Sequence, residues 1–137
     1  MYSLAIKRTQ LVECVLNTVV VGQRFQFQDV PEISRNNIIL YGLEAFTATQ
    51  LVTTPSARTV VPIGTGLLVN LQNALNEQFV YNIPYFSLIR SQNGGFFFSF
   101  ADGIDVQLTN CTVQITNITS LVANQSAVFN LIYAYKR

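Results

Sequence analysis

Residues 22–48, GQRFQFQDVPEISRNNIILYGLEAFTA, constrain the fold more than any other stretch of the chain. Within 24–28, Phe25 and Phe27 fall on one side and Arg24, Gln26 and Gln28 on the other. Alternation of this kind predicts a half-buried strand. Asp29, Val30 and Pro31 break it, because proline offers no backbone donor to a ladder. Residues 38–48 follow as a long run that is apolar on both faces. Such a run predicts a strand covered on both sides.

The same grammar runs through the rest of the chain. Tyr2, Leu4 and Ile6 alternate with Ser3, Ala5 and Lys7, the pattern of an arm or an edge strand. Residues 11–21 read as strand or extended backbone, since the Val19–Val21 run is β-branched and restricted in a helix. Further strands are expected over 58–63, 67–72, 79–83, 85–89 and 96–100, with Pro62 marking a strand end or edge. Asn93-Gly94-Gly95 is a strong turn signal, and residues 101–103 form a second turn. Residues 104–117 carry a phase change. Ile104, Val106 and Leu108 share one parity; Cys111, Val113 and Ile115 share the other. One extra residue near Asn110 keeps both sets on the core, as a β-bulge or as a strand that switches sheets. The last strand, 127–135, points Phe129, Leu131, Tyr133 and Tyr135 one way. About eight strands are expected after the N-terminal region, with regular turns and no long helix, which predicts an all-β antiparallel sandwich or barrel. Residues 1–21 read as an N-terminal arm or added strand, and residues 22–137 as one domain.

Size and composition narrow the class. At 137 residues the chain is one domain with enough material for a core. Only 11% of residues are charged, against roughly 25% in an average soluble domain. Neutral polar residues take their place: 12 Asn, 11 Gln and 12 Thr. Interface cores are depleted of charge, so the composition points to a subunit largely covered by neighbours. No apolar run approaches the ~20 residues of a spanning helix, so no transmembrane segment is expected. A net charge of +1 gives no basic field, and no sequence-specific nucleic-acid binding is expected. The start, MYSLAIKRTQ, lacks the basic and apolar regions of a signal peptide, and the chain reads as intracellular at synthesis. Cys14 and Cys111 are too few for a disulfide framework and read as two free thiols.

Catalytic chemistry has few footholds. The chain contains no histidine, which removes the commonest general base and metal ligand. Two cysteines cannot form a four-thiolate zinc site. Asp102 and Asp105 are the closest pair of carboxylates, but they lack the graded spacing of a calcium loop and read as a turn entering a strand. Gly64-Thr65-Gly66 is a turn rather than a phosphate cradle, since no helix follows. Phe96–Phe98 read as core and interface filling. Glu44, set among Leu43, Ala45 and Phe46, reads as a structural partner for an arginine such as Arg24, Arg58 or Arg90. No catalytic, cofactor-binding or metal residue is assigned, no cofactor is expected, and the chain is not read as an enzyme.

Residues 25–28 (FQFQ), Val30-Pro31-Glu32-Ile33, the strand at 38–46, Asn82-Ile83-Pro84-Tyr85-Phe86-Ser87-Leu88 and the final strand at 129–135 together form a familiar order. From residue 22 onward the chain resembles the small single jelly-roll capsid proteins of icosahedral, especially tailless, bacteriophages: their vertex (penton) and minor capsid proteins. The resemblance lies in strand order, size and composition. It implies an antiparallel eight-stranded jelly-roll β-sandwich with an N-terminal arm or extra strand. It also implies a capsid subunit made in the host cytoplasm and located in the virion. The partners implied are copies of the chain in a cyclic homo-oligomer, and neighbouring capsid proteins. The alternative is a carbohydrate- or receptor-binding β-sandwich, a head-decoration or tail-associated module, with an open aromatic cleft including Tyr81, Tyr85 or Phe96.

Overall fold

Alternation of apolar residues converts directly into two sheets. The computed structural model describes residues 7–28, 30, 33, 38–46, 58–62, 66–73, 81–89, 98–119 and 121–135. The chain is all-β, and its two antiparallel sheets face each other across one core as a β-sandwich. The strands are β1 (Arg8–Leu16), β2 (Arg24–Gln26), β3 (Ile38–Phe46), β4 (Gly66–Leu71), β5 (Tyr81–Pro84), β6 (Phe98–Val106), β7 (Thr112–Asn117) and β8 (Gln125–Tyr135). One sheet has the order β1-β8-β3-β6 and the other β2-β7-β4-β5. The first strand thus pairs with the last, the second with the seventh, the third with the sixth and the fourth with the fifth, all antiparallel.

The inward face of each strand supplies the core. β1 contributes Val12, Cys14 and Leu16, so residues 8–16 belong to the sheet itself, while residues 1–6 lie outside the described residues. β8 contributes Ala127, Phe129, Leu131 and Tyr133. Phe129 sits at the centre, edge-to-face with Phe27 (5.3 Å) and with Tyr85 (5.4 Å). Tyr85 follows β5 and crosses the sandwich to donate its hydroxyl to the Phe46 carbonyl of β3. The two edge strands β1 and β2 are drawn together where Gln28 N–H donates to the Glu13 carbonyl at 2.8 Å.

Several local expectations change. Residues 85–89 do not continue as a strand; Tyr85–Leu88 form a 3₁₀ turn, which fits the φ fixed by Pro84 just before it. Residues 58–62 make only an isolated bridge, Val60 to Ser126, rather than a strand. Residues 101–103 lie within β6 rather than between strands, as a bulge in its ladder to β3: Leu40 pairs with Ile104 and Gly42 with Ser99, so residues 100–103 stand opposite Tyr41 alone. Gly103 makes that passage possible: its φ is +76°, and an added Cβ would overlap Ile39 Cγ2 and press on the Tyr41 ring. Tyr41 is the extra residue where β3 shifts register against β8, between Leu40 and Gly42. The phase change near Asn110 marks the passage from one sheet to the other. β6 ends at Val106, Leu108–Asn110 form a 3₁₀ turn, and β7 begins at Thr112 in the opposite sheet. β1 lies within the region expected to precede the strands, and among the described residues seven strands follow it.

Candidate assembly surfaces

The conventional signs of a reactive centre are weak among the described residues. They contain no group of three or more Cys, Asp or Glu side chains able to hold a metal, and no helix long and apolar enough to cross a membrane. Cys14 and Cys111 are free and fully buried. Cys14 Sγ donates to the Gln26 carbonyl (3.4 Å) and Cys111 Sγ to the Gln107 carbonyl (3.3 Å). Burial pushes the Cys14 thiol up to about 12 and the Cys111 thiol up to about 11. Both are therefore held as neutral thiols, the unreactive form.

The residues singled out in the sequence scatter. Asp102 and Asp105 both lie within β6, not in a turn leading into it. Gly66 opens β4, where an added Cβ would collide with Asn117 of β7; Gly64 and Thr65 lie outside the described residues. Phe98 packs half-buried onto the core beside Phe100, with ring centroids 5.3 Å apart, while Phe96 and Phe97 lie outside the described residues. Tyr85 is 1% exposed and cannot line an open cleft. Burial also pushes its hydroxyl pKa well above the ordinary value of 10.0. The side chain of Tyr81 and all of Arg90 lie outside the described residues. Glu44 is buried, and its Oε1 accepts from Asn130 Nδ2 at 2.9 Å.

Three surfaces stand out instead. The first is an apolar tip. The β1–β2 loop (17–23) and the β7–β8 loop (118–124) meet at one end of the sandwich. Gly22 N–H donates to Ile115 O (2.8 Å) and Asn124 N–H to Leu16 O (2.7 Å). These loops carry four of the five large hydrophobic residues that are exposed among those described: Val20, Val21, Ile118 and Val122, at 48–62%. Neither loop contains a charged residue. Their shape is fixed by local bonds, including Thr119 N–H to Asn117 Oδ1 and Val122 N–H to Gln125 Oε1, both 2.9 Å. Exposed aliphatic groups held on a rigid frame have the character of a contact surface.

The second surface is the outer face of the β2-β7-β4-β5 sheet. Gln26, Thr112, Asn70 and Asn82 are successive partners across all four strands and form one neutral polar row. Asn70 Nδ2 donates to Thr112 Oγ1 at 3.1 Å. The composition signalled this surface as an excess of Asn, Gln and Thr, but the register was needed to align them.

The third is the outer face of the other sheet, part of which is buried although it lies away from the core. Val128 and Ala134 are 0% and 2% exposed there. Ser126 Oγ donates to the buried Glu13 Oε2 at 3.0 Å. Residues 58–62 run beside this end of β8, with Ser126 N–H donating to Thr59 O (2.8 Å) and Val61 N–H to Ser126 O (3.0 Å). Near it, Val15, Asn17, Phe25, Gln26, Gln28 and Arg58 line a shallow depression of about 280 Å³.

The chain matches no protein-family model, no curated protein and no solved structure.

Proposed function

We propose that this chain is a structural subunit of a virion: a bacteriophage capsid protein of the vertex (penton) or minor class, built as an eight-stranded jelly roll. The observation that carries the reading is the strand pairing. Pairing first with last and so on inward describes one long antiparallel ribbon, β1–β4 against β5–β8. Wrapping that ribbon adds the contacts β3–β8 and β4–β7. Two Greek keys wound in this way are a jelly roll, a fold common in viral shells and also in lectins and cupins. Fold alone does not choose among these uses.

The surfaces support the shell over the others. A charge-free aliphatic tip and a neutral polar sheet face suit burial against other subunits, where charge is depleted. Thiols locked as neutral donors and a buried Tyr85 supply neither a nucleophile nor an aromatic cleft. In this role the chain works by geometry: copies packed around an axis bury the tip and the flanks, and the virion is its location. Native mass spectrometry with negative-stain imaging of the same sample tests the proposal. A closed ring, a pentamer for a vertex protein, is expected. A strict monomer at high concentration with measurable glycan affinity would overturn the reading in favour of a binding module.

A further inference from the structure

The two ends of the sandwich carry charge differently. The strand pairings among the described residues are all antiparallel, so β1, β3, β5 and β7 run toward the apolar tip and β2, β4, β6 and β8 run away from it. The β1–β2, β3–β4, β5–β6 and β7–β8 connections therefore belong to the tip end. Residues 17–23, 47–65, 85–97 and 118–124 make these connections; they contain no aspartate or glutamate, and their only charged residues are Arg58 and Arg90. Asp29, Glu32 and Glu77 all fall in connections of the opposite end. The strand carboxylates stay away from the tip as well: Glu13 and Glu44 are buried, and Asp102 and Asp105 lie from the middle of β6 onward, toward the other end. Arg24, exposed at the start of β2, directly follows the first tip loop.

We propose that this end of the molecule is a membrane-contact site: Val20, Val21, Ile118 and Val122 enter the interface of a lipid bilayer, with a preference for anionic lipid. The inference goes beyond the assembly role argued above. Copies arranged around an axis bury the sides of their tips against one another and gather the tip ends into one apolar, acid-free surface. The four side chains are each 48–62% exposed. They are far fewer than the roughly 20–30 residues that a standard protein interface takes from each partner, so tip-to-tip contact alone is too small to hold two copies together. A bilayer sets no such minimum, because binding grows with each apolar group inserted and with attraction to anionic lipid.

The two loops suit the boundary layer of a bilayer. Bonds from Gly22 N–H to Ile115 O and from Asn124 N–H to Leu16 O tie them to the strand ends, so little ordering opposes insertion. Asn17, Thr18, Gln23 and Thr119 flank the aliphatic residues with neutral hydrogen-bonding groups, which stay solvated among headgroups. With no carboxylate at this end, phosphate headgroups meet no like charge, and Arg24 is drawn to them. The contact is peripheral and needs no spanning helix; the described residues contain none long and apolar enough to cross.

Flotation with vesicles tests the site, using phosphatidylcholine alone and phosphatidylcholine mixed with phosphatidylglycerol. The full chain should float with both, and more strongly with the mixture. Raising salt from about 0.1 M to 1 M should remove that excess, because exposed charges are screened. Val20→Asp/Val122→Asp, with its folding checked by circular dichroism, should lower partitioning on the order of tenfold or more. Arg24→Gln should lower it on the mixed vesicles only. A chain that stays in solution with both vesicles, or an aspartate variant that floats as well as the unaltered chain, would overturn the membrane contact. So would an aspartate variant that loses its rings while floating unchanged, since the tip would then be a contact between copies. Native mass spectrometry of the same preparations separates the two readings. Rings that do not float leave the assembly role standing without the membrane site; a strict monomer that floats leaves the membrane site standing without the assembly role.

Discussion

The two sheets share one core but treat their outer faces differently. On the β2-β7-β4-β5 sheet the alternation is largely preserved: Leu67, Val69 and Leu71 face in, while Gln26, Gln114, Thr116 and Asn82 face out, half-buried or exposed, and the outward Asn70 of β4 is buried at 7%. On the β1-β8-β3-β6 sheet it is lost through the middle strands. Leu43, Glu44 and Ala45 of β3 are all buried, as are Ser126, Ala127, Val128 and Phe129 of β8. A sheet with one wet face is ordinary for antiparallel strands, whereas burial on both faces removes the polar half of the pattern. What survives on the buried outer face is polar only where a partner is supplied, as Glu13 is by Ser126 and Glu44 by Asn130.

The sharpest way to break this contrast is to place the same charge on each outer face. Val128→Lys puts an ammonium group into a position with no exposure. It should cost on the order of 3–5 kcal/mol, the scale of an uncompensated buried charge. Against a total stability of roughly 5–15 kcal/mol, the variant should be largely unfolded or lost on expression. Thr116→Lys, exposed on the other sheet, should change stability by no more than about 0.5 kcal/mol. Urea unfolding of the pair measures both. Equal tolerance would mean that the outer face of the β1 sheet is not closed in solution.

The contrast was partly legible in the residues. The long apolar run 38–48 announced a strand covered on both sides; β3 takes up 38–46 of it, with 43–45 buried on both faces, while 47 and 48 lie outside the described residues. The alternation of Phe25 and Phe27, of Leu67, Val69 and Leu71, and of Phe129 through Tyr135 assigned the inward faces correctly, because period-two burial is written locally. The phase change around Asn110 located the change of sheet without distinguishing it from a bulge, since both insert one residue. What the residues did not reveal depends on contacts far apart in the chain. The Glu13–Ser126 bond spans 113 positions. The strand through 101–103 hides behind Gly103, which read as a turn because nothing local shows Tyr41 lying against it. The apolar tip brings together two loops about 100 residues apart, and each alone looks like an ordinary connection.

The two thiols sharpen the comparison at the core, one from each side. Cys14 belongs to the β1 sheet, and Cys111 precedes β7 of the other. Folding raises both above the ordinary thiol value of 9.0, to about 12 and about 11, through desolvation by burial. An unfolded chain releases these protons near pH 9 and the folded chain holds them. The unfolded state thus binds fewer protons above that point, and stability falls as pH rises. Below about pH 9 the thiols leave stability flat. Between 9 and 11 both weaken the fold, and between 11 and 12 only Cys14 does. Urea midpoints at pH 7, 9 and 10.5 for the unaltered chain and for Cys14→Ala/Cys111→Ala isolate this effect from lysine and tyrosine titration. The double variant should lose less stability over the interval. An identical slope would mean that the thiols are open to water, which native-state labelling by a thiol reagent would show directly.

The smallest expected difference is also the most direct reading of the two outer faces, because it compares one hydrogen bond on each. Ser126→Ala removes the 3.0 Å donor to Glu13 on the buried face, where neither residue is more than 5% exposed. A buried carboxylate that loses a donor bears its desolvation with less compensation, and a cost of about 1–3 kcal/mol follows. Thr112→Val removes the acceptor of Asn70 Nδ2 on the open face. Thr112 is half-buried and Asn70 is 7% exposed; the bond lost joins two neutral groups rather than a carboxylate, and valine suits a strand, so about 0.5–1.5 kcal/mol is expected. The two substitutions remove one bond of nearly equal length, so the difference in their costs measures how completely each face excludes water. If Thr112→Val proved the costlier change, the closed face and the open face would have to be exchanged.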